Sequence, residues 1–169
     1  NQKGQRIFYT YTAIPQSIGA DSIPYITIMQ VNKVLTKEPV FVEDNDAKDY
    51  GTDPIEISGQ SISKAHLNLR YTFLNGGNHL IPHSISLLIA KDAQPDARGY
   101  LSAELRHDAA DDLQLNANSG YVSFTLENMP GFKEGTLKGF KIKTKTIKNE
   151  TDIVEVTMNN NRKSMNFNI

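Results

Sequence analysis

From Ala65 to Phe73 the chain alternates without a break. Ala65, Leu67, Leu69, Tyr71 and Phe73 share one parity, and His66, Asn68, Arg70 and Thr72 share the other. Successive side chains of a strand point to opposite faces, so this stretch buries its apolar row as one half-covered β-strand. The pattern recurs: Val122, Phe124 and Leu126 alternate with Tyr121, Ser123, Thr125 and Glu127, and Phe140, Ile142, Thr144 and Thr146 with Lys141, Lys143 and Lys145. At the C-terminus Met165, Phe167 and Ile169 alternate with Asn166 and Asn168.

Residues 6–12, 25–31, 39–43, 55–58, 83–90, 100–106 and 153–158 are further strand candidates, rich in the β-branched and aromatic residues that suit a pleated surface. Turn chemistry separates them. Asn75-Gly76-Gly77-Asn78 tolerates positive φ, Met129-Pro130-Gly131 reads as a Pro-Gly turn, and Asn118-Ser119-Gly120 marks another break. Helix signal is confined to residues 109–115, with Asp108 as the N-cap candidate. Many short strands between turns, each with one wet face, predict an all-β fold: an antiparallel β-sandwich, Ig-like or jelly-roll, with at most one short helix near residues 108–115. The length of 169 residues fits a single domain over 1–169, since domains commonly hold roughly 100–200 residues.

Composition excludes several function classes. With no Cys, the chain has no disulfide, cysteine nucleophile or thiolate-held metal. A net charge of −1 removes the global electrostatic case for nucleic acid. No apolar run approaches the roughly 18–20 residues of a membrane-spanning helix, so membrane insertion is not expected. The first residue is not Met and no signal pattern opens the chain, which reads equally as a processing site or an artificial boundary. The charge is nevertheless segregated. Glu38, Glu43, Asp44, Asp46, Asp49, Asp53 and Glu56 are opposed by Lys48 alone, whereas Lys133, Lys138, Lys141, Lys143, Lys145 and Lys148 are opposed by Glu134 alone.

Four sets of side chains are candidates for chemistry. Asp44, Asp46 and Asp49 open like a calcium loop, but Lys48 and Ile55 stand where ligands are needed. Ca²⁺ is thus the one cofactor the sequence allows, no cofactor is expected, and a solvated loop is the favoured reading. Lys141, Lys143 and Lys145 project from one strand face about 7 Å apart, a row that suits partner contact with a polyanion, a sulfated or acidic glycan or the acidic loop of a neighbouring subunit or, equally, an edge that must resist unwanted pairing. Phe167, in a tail that alternates like a donated strand, is read as a further partner contact. Tyr50, Asn75, Asn78 and His79 lie in predicted loops and form the candidate ligand- or glycan-binding set. His79 and His83 would be about 13 Å apart in an extended chain, too far to share an ion, and the histidines are read as surface or turn residues. Tyr9 and Tyr11 are read as core or sheet-packing residues.

No strained Ser turn of the G-x-S-x-G kind, phosphate loop or dinucleotide fingerprint is present, so the chain is not expected to be an enzyme. The expectation is a structural, adhesive or assembly module of a cell-surface or particle component, interacting through sheet edges and charged loops with other subunits, including copies of itself. A carbohydrate- or ligand-binding module is the alternative reading, and a small hydrolase ranks below both. An extracellular or surface location is expected, with the cytoplasm left open.

Overall fold

In the computed structural model the chain divides into two compact units, Asn1–Thr36 and Lys37–Ile169. Residues 6–18, 24–43, 47, 50–77 and 80–158 are described. The first unit contains β1 (Ile7–Ile18) and β2 (Pro24–Lys33), an antiparallel ribbon in which Ile7 pairs with Lys33 and Ala13 with Ile26. It is apolar yet open to solvent. Tyr9 and Tyr11, expected in sheet packing, are 44% and 56% exposed, because a two-stranded ribbon has no second layer to bury them.

β3 (Leu35–Lys37) crosses the boundary between the units. The sandwich, expected over residues 1–169, lies in the second unit. One sheet runs β11-β10-β8-β7-β4, from β4 (Val40–Val42), β7 (Ser84–Ala90), β8 (Tyr100–Asp108), β10 (Gly139–Lys145) and β11 (Thr151–Thr157). The facing sheet carries β9-β6-β5, from β5 (Ile55–Ser63), β6 (His66–Asn75) and β9 (Asn116–Thr125). The all-β sandwich fold agrees with the sequence expectation.

Two pairs depart from antiparallel order: β4 with β7 and β8 with β10 are parallel. In both cases the chain leaves its sheet, builds strands of the facing sheet and returns. Parallel neighbours need such a crossover because no tight hairpin can join them. β10 is therefore an inner strand flanked by β8 and β11, which overturns the alternative reading of its lysines as an edge device.

The core follows from the parities. Leu67, Leu69 and Tyr71 of β6 and Val122 and Phe124 of β9 face Leu87 and Ile89 of β7, Leu101 and Leu105 of β8, and Phe140 and Ile142 of β10. Tyr71 opposes Gly120 across the β6–β9 pair, and its ring lies over the glycine: a Cβ there would be 2.4 Å from Oη.

No α-helix occurs among the described residues. The predicted helix near 108–115 is a turn instead. Asp108 Oδ1 does accept the Ala110 N–H, as an N-cap would, at 2.8 Å. Ala110 and Asp111 then take φ of 50° and 61°, a left-handed pair that cannot continue a right-handed helix.

Candidate functional site

At one end of the sandwich the inward-facing rows finish in polar groups. On β8 the row Leu101, Ala103, Leu105 ends in His107, which is 1% exposed, and the row of β7 is preceded at the same parity by His83. On β6 it ends in Phe73, whose ring meets His83 and His107 edge-on with centroids 5.2 and 5.4 Å away. On β10 the row ends in Thr144, buried, whose hydroxyl donates to the Ile55 carbonyl of the facing sheet. A histidine placed by strand parity in the last rung of a core must find partners, because a buried polar nitrogen without one is costly.

It finds them in three connections. His107 Nδ1 lies 3.0 Å from the Pro54 carbonyl, which can only accept, so Nδ1 carries a proton. His107 Nε2 lies 2.9 Å from His83 Nδ1, and His83 Nε2 lies 3.2 Å from Asp112 Oδ2. Asp112 also accepts the Gly76 N–H at 2.8 Å and the Leu113 N–H at 2.9 Å. The Gly76 hydrogen bond first, then those of His83 and Leu113, hold its carboxyl below the ordinary range against the opposing effect of burial. Burial pushes the His107 pKa down, opposed by its bond to Pro54, and His83 adds to the depression.

A second carboxylate fastens the connection before β5. Asp53 accepts the Ala109 N–H at 2.8 Å and the Gln114 side-chain amide at 2.9 Å, and its own N–H donates to the His107 carbonyl at 3.0 Å. Arg106 Nη1 donates to the Gly51 carbonyl at 3.1 Å. Gly51 itself, at φ 74°, packs so closely on β8 that a Cβ would fall 2.4 Å from the His107 carbonyl oxygen, so only glycine fits.

Acid, base and imidazole thus converge, as they would in a hydrolase, but all four ring nitrogens of the two histidines are already engaged. The surface depressions lined by Gln94 to Thr136 and by Val42 to Ile153 do not include His83, His107 or Asp112. No group of three or more His, Cys, Asp or Glu side chains is placed to hold a metal ion among the described residues. The arrangement ties three connections to the end of the sandwich. Around it the same connections expose large apolar side chains: Leu80 at 89%, Leu113 at 64% and Leu115 at 69%.

The sequence candidates fall as follows. Asn75 ends β6 at this same end, where its carbonyl accepts the Leu115 N–H at 3.1 Å. Tyr50 is half-buried in the connection between β4 and β5. Asn78, His79, Asp44, Asp46, Asp49 and Phe167 lie outside the described residues. The lysine row is internally matched: Lys141 Nζ reaches Asp96 Oδ2 at 2.7 Å, Lys143 Nζ reaches Glu104 Oε1 at 3.5 Å, and Lys145 Nζ donates to the Thr52 carbonyl at 3.0 Å. The reading of the histidines as surface or turn residues is corrected for His83 and His107, whose pairing sequence spacing alone does not reveal. The signal was parity, since His107 continues an apolar row of β8.

A family model described as the NigD-like C-terminal beta sandwich domain matches residues 38–158. No curated protein matches the chain. A solved protein of unknown function from Bacteroides vulgatus has 20% identity and a TM-score of 0.75, covering 98% of this chain and 76% of its own. A putative toxin-related protein from Parabacteroides distasonis has 27% identity and a TM-score of 0.67, over 91% of this chain and 73% of its own. A NigD-like immunity protein from Bacteroides caccae has 17% identity and a TM-score of 0.64, over 89% and 70%.

Proposed function

The chain belongs to the family of NigD-like C-terminal β-sandwich domains, and on that premise we propose that it is a non-catalytic module that binds a protein partner through the loop end of its sandwich. The observation that carries this reading is the exposure of Leu80, Leu113 and Leu115 on connections that Asp112 and His83 fasten to the core. Large apolar side chains left exposed gain most when a partner covers them. Structural neighbours described as a toxin-related protein and as an immunity protein support a protein as that partner. Because each lysine of the β10 row already has an intramolecular partner, the proposal rests on this apolar end rather than on charge pairing between copies.

A photo-crosslinking amino acid placed at Leu113 or Leu115, with Glu134 at the opposite end as control, tests it in cells of the source organism. A discrete protein adduct from the leucine positions alone is expected. No adduct, or equal adducts from Glu134, overturns the reading. We place the module at the cell surface, and cell fractionation that recovers it only from the cytoplasm would refute that placement.

A further inference from the structure

The two imidazoles cannot both be neutral in the geometry observed. His107 Nδ1 donates to the Pro54 carbonyl, so in a neutral ring its Nε2 is an acceptor. His83 Nε2 faces the Asp112 carboxylate, which accepts, so that nitrogen carries a proton and in a neutral ring His83 Nδ1 is also an acceptor. Two acceptors would then face each other at 2.9 Å. One extra proton, carried between His83 Nδ1 and His107 Nε2, resolves the conflict and leaves the pair with a single positive charge beside Asp112. A second extra proton would put a hydrogen on both nitrogens and break the bond.

We propose that His83, His107 and Asp112 form a proton-operated clasp: with one shared proton it locks the connections before β7 and after β8 to the core, and a second proton, taken up on acidification, opens it. The inference does not need the loop end to bind a partner.

The surroundings set the direction. The charged groups near the pair are Asp112 from the turn after β8, Asp53 from the connection before β5 and Asp108 at the end of β8, with Arg106 and Lys145 bound to carbonyls of the connection before β5, while β6 brings only the Phe73 ring. Despite the Asp53 and Asp108 carboxylates and the bond to Pro54, burial dominates and the His107 pKa is lowered. In the open state the ring is exposed and titrates near its ordinary value of about 6.5. Between that value and the lowered one, the open state binds more protons than the closed state, so falling pH favours opening. Asp112, also held low, remains ionised until the pH is lower still, so its loss follows rather than causes the first opening.

The test is nitrogen-15 NMR of the histidine rings and amide hydrogen exchange on the full chain. With the clasp closed the expected pattern is three ring protons over the His83–His107 pair, with His107 protonated at Nδ1. As pH falls below about 6.5 the protection of the Gly76 and Leu113 amides should fall, by up to about tenfold for each pKa unit by which closure depresses His107. The Leu137 amide at the opposite end serves as reference. H83F, which has neither the shared proton nor the bond to Asp112, should lower the protection of Gly76 and Leu113 relative to Leu137 already between about pH 6.5 and 7.5. Two independently titrating rings, or wild-type protection at Gly76 and Leu113 that stays level with that of Leu137, would overturn the clasp, whether or not the variant folds.

Discussion

Replacing Gly120 by Ala should destabilise the sandwich, although the opposite sign is usual. Glycine in a strand is ordinarily worth about 0.5–1 kcal/mol less than alanine. Here a Cβ would lie 2.4 Å from Tyr71 Oη, 2.6 Å from Cζ and 3.0 Å from Cε2. Ordinary carbon contacts are about 3.5–4.0 Å, so the ring must retreat by about 1 Å. It has little room, being 8% exposed and packed on Phe73 with centroids 5.8 Å apart. Overpacking of this kind costs about 1–3 kcal/mol. With no Trp in the chain, urea unfolding is followed by far-ultraviolet circular dichroism and tyrosine emission. The midpoint should fall while the slope stays constant. In a Y71L background the far ring atoms are gone, and Gly120→Ala should turn neutral or stabilising, a coupling of about 1–3 kcal/mol. A loss of equal size in both backgrounds, or none in the wild type, would refute the argument.

Phe124, fully buried between the sheets, should cost about 3–5 kcal/mol when truncated to Ala, read as a lower urea midpoint. The Asp96 carboxyl is held at about 2, chiefly by Lys141 and then by the Tyr100 and Arg98 N–H groups. Its folded value lies below its unfolded one, so its contribution is present above about pH 3.9 and is lost as pH falls towards 2. NMR titration should show this value, and K141M should raise it towards the ordinary range.

Strand positions were legible because burial imposes period two, and most candidates lie within strands of the structure. The short β3 was not, since three residues carry too little pattern to stand out. The parallel pairs were hidden for a different reason. Alternation records which face of a strand is buried, not which way its neighbour runs. The site was half legible. Asn75 marked the correct end, and the rows running into His107 and Thr144 could be read from parity. That His83 meets His107 depends on the register of β7 against β8, in which Ile85 pairs with His107, and no local signal encodes it.

The returning path of the chain also bears on how the protein is made. β8 gains its parallel neighbour only when β10 has been synthesised, and β9 is built for the facing sheet in between. At about 5–20 residues per second, the interval from the end of β8 to the end of β10 is roughly 2–7 s. During that time one flank of an apolar strand stays unpaired on the ribosome, a template for association with other nascent chains. A trigger-type holdase that shields residues 100–108 should therefore raise soluble yield more than one that acts after release.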